Sequence, residues 1–216
     1  MHRGRISVPL PPQPTRNRTP VASVFLDNLA EHQRTIKQLG QLEPAVAAAA
    51  RVLSDALAAG GKLLLCGNGG SAADCQHLAA ELTGRFVHDR RPLAALALTT
   101  DTSALTCIAN DYAFDQVFAR QLRALGRPGD VLVAISTSGN SPNVLAAADA
   151  ARGLGMRCIG LLGRDGGALR DRCDPAIVVP SQVTARIQEA HILIGHSLCG
   201  MVEELLGVHV AHSQST

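Results

Sequence analysis

His77 and Glu81 stand four residues apart in the stretch GKLLLCGNGGSAADCQHLAAELTGRF, which runs from Gly61 to Phe86. On a helix that spacing turns both side chains the same way. An imidazole and a carboxylate on one face can hold a divalent metal ion or exchange protons with one polar substrate. At the same spacing they can equally be a solvated surface pair. A second group is Ser136-Thr137-Ser138-Gly139-Asn140-Ser141-Pro142, with four hydroxyls between residues 136 and 141. Hydroxyls beside the open N–H groups of a helix start suit a phosphate, and Ser141-Pro142 has the pattern of an N-cap followed by proline at the first helical position. The third group lies in Thr184 to Leu206 and comprises Gln188, Glu189, His191 and His196.

The elements that must position these groups follow from pattern. Lys62 to Cys66 is a short apolar run, the mark of a fully buried strand in a parallel sheet. Gly67-Asn68-Gly69-Gly70-Ser71 follows, with three glycines in five positions. Such a turn lets the backbone approach a ligand closely, and Ser71 is placed to cap the helix that carries His77 and Glu81. A glycine-rich turn can also serve tight packing alone. The run is neither G-x-G-x-x-G nor a P-loop, so no nucleotide fingerprint applies. Val21 to Ala59 reads as largely helical, and Pro92 to Leu98, Asp130 to Ile135, Arg157 to Leu162 and Ala176 to Val179 read as further strands. Thr99 to Ser103 is a polar turn with capping residues, and Asn110-Asp111-Tyr112 interrupts the helices that follow it. Gly163 to Gly167 turns into another helix, Val144 to Leu154 is helical, and Thr184 to Leu206 is a long final helix. Alternating β and α with short turns means a parallel sheet wrapped by helices, whose ligands gather beyond the carboxyl ends of the strands.

Composition narrows the function. The chain has 216 residues, no tryptophan and few aromatics, so its core must be mainly aliphatic. A net charge of +2 gives no electrostatic case for nucleic acid. No apolar run reaches the ~18 residues of a membrane span. The six cysteines form no C-x-x-C pair and several sit in apolar runs, which points to a reduced, cytoplasmic setting. Residues 1–20, with five prolines and four arginines, read as a disordered basic arm; 21–207 read as one domain and 208–216 as a flexible tail in which His209 and His212 are solvent-exposed.

With these residues placed, the chain resembles the sugar isomerase (SIS) superfamily and, within it, the phosphoheptose isomerases. The words that carry the resemblance are GNGGSAADCQHLAAELTGRF, ANDY, GDVLVAISTSGNSPN and RIQEAHILIGH, in order over roughly Leu53 to His196. The resemblance implies an α/β fold: a five-stranded parallel sheet flanked by helices, flavodoxin-like and doubly wound, with an N-terminal helical extension. It implies a homotetramer with sites at subunit contacts. Its activity would be the interconversion of sedoheptulose 7-phosphate and D-glycero-D-manno-heptose 7-phosphate. Carried over by motif, Asn68, Gly69, Gly70 and Ser71 would line the sugar-phosphate site, and Asn110 and Asp111 would bind the sugar chain. Ser136, Thr137, Ser138 and Ser141 would hold the phosphate. Glu81 and His196 match the acid–base pair, Glu81 and Gln188 also contact substrate, and His77, Glu81, Gln188 and His196 match a set of zinc ligands.

The chemistry suits those types. Ketose–aldose isomerisation moves a proton between adjacent carbons through an enediol, and needs one group for the carbon proton and one for the hydroxyl proton. Residue type alone leaves open which of Glu81 and His196 takes the carbon proton. His191 is either a competing ligand or a packed helix histidine. Two alternatives stand beside this reading: an isomerase of another sugar phosphate, and a SIS-fold tetrameric partner of the bacterial replication initiator. The latter branch departs from the isomerase pattern at the positions held here by Glu81 and His196.

Overall fold

The computed structural model describes residues 21–207. The expected arm at 1–20 and the tail with His209 and His212 lie outside the described residues. Continuous apolar runs become the central strands β1 (Leu63–Gly67) and β3 (Val131–Ser136), buried along their whole length. Strand β4 (Arg157–Gly163) is buried after its first residue, while β2 (Ala95–Ala97) and β5 (Ala176–Val179) form the edges. All pairings are parallel, in the order β2-β1-β3-β4-β5. That order reverses direction between β1 and β3, so the ends of these two strands open a crevice.

Two aliphatic cores cover the two faces of the sheet. On one face pack α2 (Glu43–Ala58), α3 (Gly70–Thr83) and α7 (Thr184–Leu206). On the other pack α4 (Thr102–Asp111), α5 (Val117–Leu125) and α6 (Pro142–Gly153). Helix α1 (Val21–Gln38) lies outside this sandwich against α7. Arg186 of α7 explains the contact: its guanidinium reaches Asn28 and Glu31 on α1 and pairs with Glu189 on its own helix. No helix among the described residues is long and apolar enough to cross a membrane.

Two details depart from the sequence reading. Of Pro92 to Leu98 only Ala95–Ala97 pairs as strand, because an edge strand has a single neighbour to register against. Asn110 and Asp111 end α4 before the next helix, as the sequence indicates, and Asp101 fixes its start, its carboxylate accepting from the Ala104 amide at 2.9 Å. The helix expected after Gly163 to Gly167 is a short 3-10 segment, Gly167–Arg172.

Candidate active site

The crevice at the switch point is lined by Asn68, Gly69, Gly70, Ser71, Ile135, Ser136, Thr137, Ser141, Thr184 and Gln188 and encloses about 530 Å³. Three helix starts, those of α3, α6 and α7, meet here, and each presents unpaired N–H groups to whatever fills the cleft. Gly69, not Ser71, is the N-cap of α3. Its φ of 56° lies in the left-handed region, which only glycine adopts without strain, and the turn therefore begins two residues earlier than a serine cap would allow. Ser71 enters the first turn and is 3 % exposed. Gly70 faces Gln188: a Cβ there would lie 2.4 Å from the Gln188 amide nitrogen, so any side chain at 70 would displace Gln188.

The second wall is equally ordered. Ser136 Oγ and Ser141 Oγ are 3.1 Å apart, and the Gly139 amide donates to Ser136 Oγ at 3.2 Å. Ser141 is the N-cap of α6 with Pro142 next, as its sequence indicates, but its hydroxyl makes no capping bond and is directed to Ser136 and the cleft. Ser138 differs. Its hydroxyl accepts from the Asn140 amide at 3.2 Å, and it is not among the lining residues.

Two turns further along α3, His77 Nε2 lies 3.1 Å from Glu81 Oε1 and 3.1 Å from His196 Nε2 on α7. The ligating atoms of the three residues all fall within 4.8 Å of one another. Two donors bound to a tetrahedral ion at about 2.0–2.1 Å stand ~3.4 Å apart. The triad therefore fits a divalent ion with little movement, and the half-exposed His77 leaves a side open to a further ligand. Gln188 meets α3 at Gly70, whereas His196 meets it at His77, since the two helices run alongside each other.

Packing creates that convergence. A Cβ at Gly195 would lie 2.6 Å from Leu78, so glycine there brings α7 close enough for the next residue, His196, to reach His77. Phe86 stacks on the His196 ring at 5.5 Å between centroids. Beneath Phe86 lies a buried ion pair, Arg90 Nε to Glu203 Oε1 at 2.6 Å, with side chains 0 % and 2 % exposed. Arg90 also donates to the carbonyls of Glu81, Leu82 and Gly84, closing the end of α3, and Glu203 accepts from the amides of Phe86 and Val87. Burial pushes the Glu203 carboxyl up, but Arg90 and the two amides hold it below its usual range. The pair thus ties the helix of Glu81 to the helix of His196.

The sequence reading missed Arg90, Glu203, Phe86 and Asn143. Asn143 is buried and exchanges two amide hydrogen bonds with Asn68, each 2.8 Å, which fixes Asn68 at the cleft. A signal existed for Glu203: it lies seven residues after His196, two turns on, and so shares its buried face. Nothing in the polar segment before Pro92 singles out Arg90. For His191 the structure matches the packed alternative. Its Nε2 donates to the Leu162 carbonyl at 2.9 Å, burial pushes its pKa down to about 4, and it is a neutral core histidine outside the metal-ligating group. Asn110 and Asp111 are exposed at the end of α4, bonded to each other at 2.8 Å, and do not line the cleft of their own chain.

The SIS domain family matches residues 25–163. A phosphoheptose isomerase of Rhodospirillum rubrum is 59% identical over 169 residues, covering 78% of this chain and 90% of that protein. The chain belongs to the phosphoheptose isomerase family. Solved structures of family members superpose closely. The enzyme of Neisseria gonorrhoeae gives a TM-score of 0.80 at 49% identity, covering 84% of this chain and 99% of the other. That of Francisella tularensis gives 0.82 at 40% identity, covering 87% and 100%.

Proposed function

We propose that this chain isomerises D-sedoheptulose 7-phosphate to D-glycero-D-manno-heptose 7-phosphate through an enediol, as a step of heptose biosynthesis in the cytoplasm. One observation carries the reading: Glu81 and His196, a carboxylate and an imidazole, converge beside a cleft lined by helix starts in a member of this family. Cleft and triad are separated along α3 by about seven residues, a rise of ~10 Å. A heptose phosphate has its phosphate and its reacting carbons at opposite ends, so one molecule can engage both. The α3 and α6 starts with Ser136, Thr137 and Ser141 would bind the phosphate, Asn68 to Ser71 and Gln188 the adjoining hydroxyls. Glu81 and His196 would carry the proton between carbons 1 and 2 and between their oxygens.

His77, Glu81 and His196 are a nitrogen and oxygen donor set acceptable to zinc. When bound, a zinc ion would act as a Lewis acid on the carbonyl and hydroxyl oxygens. Gln188 lies roughly 12 Å along α7 from His196, and we therefore give it to the substrate before the metal. We take residues 21–207 as one SIS domain and the working form as a homotetramer. Exposed apolar side chains along α1, among them Phe25 and Leu26 at 69% and 61% exposure, support association. Asn110 and Asp111, exposed and not lining their own cleft, would serve a neighbour's. Six free cysteines support a reducing compartment.

The Glu81 and His196 pair favours an isomerase over a partner of the replication initiator. Incubating purified protein with sedoheptulose 7-phosphate and resolving the products should give the 7-phosphate of D-glycero-D-manno-heptose. Unchanged ketose would sink the reading, and a different aldose phosphate would reassign the substrate. Elemental analysis of protein purified without chelator should find zinc; full activity in metal-free protein would leave the triad as plain acid–base groups.

A further inference from the structure

Cys158 and Cys173 lie at the opposite end of the sheet from the cleft and play no part in it. Cys158 is the second residue of β4, and Cys173 follows the 3-10 segment Gly167–Arg172. Their sulfurs are 3.5 Å apart. The Asp174 amide donates to the Cys158 carbonyl at 2.8 Å, which holds the two backbones side by side. Gly160 makes the room: a Cβ there would stand 3.0 Å from Cys173 Sγ. Closing a bond of about 2.05 Å asks for an approach of ~1.5 Å, within the reach of two side-chain rotations.

Access and chemistry fit as well. A surface cleft of about 580 Å³ opens onto both thiols, walled by Arg152, Met156, Arg157, Asp171, Arg172 and Asp174. The hydrogen bond between the two thiols, with burial, holds Cys158 well above the usual range. Cys173 is lowered by that hydrogen bond and by Arg172, against the effect of burial. Cys66, in the same core, and Cys75 and Cys199, on the other face of the sheet, are pushed upward by desolvation. A thiol with a lowered pKa at the floor of a cleft, buried beside a second thiol, has the features of a redox pair.

We propose that Cys158 and Cys173 form a reversible dithiol–disulfide site oxidised by a peroxide. Cys173 attacks one oxygen of hydrogen peroxide, forming an S–O bond as the O–O bond breaks. The departing hydroxide takes the thiol proton and leaves as water. Cys158 then attacks the sulfenyl sulfur, an S–S bond forms as the S–O bond breaks, and a second water leaves with the Cys158 proton. Two thiols have lost two electrons and one peroxide has gained them. An external dithiol reverses the step by two exchanges. The bond would tether one end of the Gly167–Arg172 segment. The other end supports the phosphate loop, since the Leu169 amide donates to the Gly139 carbonyl at 2.9 Å and the Ala168 amide to Asn140 Oδ1 at 3.0 Å.

The test uses the full chain, reduced, desalted, exposed to hydrogen peroxide, blocked with N-ethylmaleimide and digested with trypsin without reductant. Cleavage after Arg157, Arg164, Arg172 and Arg186 places each cysteine in its own peptide, 158–164 and 173–186. The expected product is these two peptides joined, lighter by two hydrogens than their sum and separated by dithiothreitol. Hydrogen exchange across 163–172 should slow on oxidation and recover on reduction. In Cys158→Ser the link should vanish and Cys173 should be trapped by dimedone as its sulfenic acid; if that variant fails to fold, the wild-type digest still decides. Both cysteines recovered as maleimide adducts after the exposed Cys107 has been consumed, or oxidised separately to sulfinic acids, would overturn the proposal.

Discussion

The cradle at the switch point and the triad above it are built on different principles. Asn68 to Ser71 and Ser136 to Ser141 are each a continuous strand–turn–helix, shaped by a few neighbouring residues and the left-handed Gly69. His77, Glu81 and His196 bridge 119 residues of chain and meet only because Gly195 admits Leu78 and the Arg90–Glu203 pair joins α3 to α7. The comparison teaches that, on the proposed reading, anion binding would be a local property of turns and proton transfer a property of the packed core. Damage to the core should spare the first and abolish the second.

The largest effect separates them at a single atom. Glu81→Gln should lower turnover by ~10²–10⁴ while leaving sugar-phosphate affinity with the cradle, because one positioned acid–base group is lost and the turns are untouched. Steady-state kinetics alongside calorimetric titration would show it; wild-type turnover in the variant would remove Glu81 from the proton path.

Next comes the link between the helices. Arg90→Met leaves Glu203 buried and unpaired, which typically costs about 3–5 kcal/mol of stability. Urea unfolding at neutral pH should register that loss, and an unchanged midpoint would mean the pair holds nothing together. The sign with pH follows from the lowered Glu203 carboxyl. Its folded value lies below its unfolded one, so its contribution is present above about pH 4.3 and drains away as pH falls through the folded value. Glu203→Gln should accordingly flatten the acid limb of the stability curve.

The smallest effect sharpens the cradle itself. Ser141→Ala removes a hydroxyl that faces the cleft, and Ser138→Ala one engaged with Asn140. Each hydrogen bond to a charged phosphate is worth about 1.5–3 kcal/mol, so Ser141→Ala should weaken sugar-phosphate binding roughly tenfold or more and Ser138→Ala clearly less. Equal losses would place the phosphate across the whole loop.

The same contrast explains what the sequence made legible. The α/β order, the long final helix and the two hydroxyl- and glycine-rich turns were readable because strand runs and turn residues act over a few positions. The pairing of His77 with Glu81 was readable from helical spacing. Arg90 and Asn143 were not, because their partners, Glu203 and Asn68, lie far away in the chain and each looks like an ordinary polar residue in a loop or cap. Ser71 misled for another reason: a serine before a helix suggests a cap, but the left-handed backbone open to Gly69 starts the helix two residues earlier.

The central claim is that Glu81 and His196 act on one substrate from a single chain, and mixing tests it most directly. Chains carrying Glu81→Gln and chains carrying His196→Ala would be refolded together, and mixed assemblies isolated by two different affinity tags. Every site would then lack one of the two groups, so the mixture should isomerise sedoheptulose 7-phosphate no faster than either variant alone. Recovery of a substantial fraction of wild-type turnover would mean that each site draws Glu81 from one chain and His196 from another, and would contradict the triad described here.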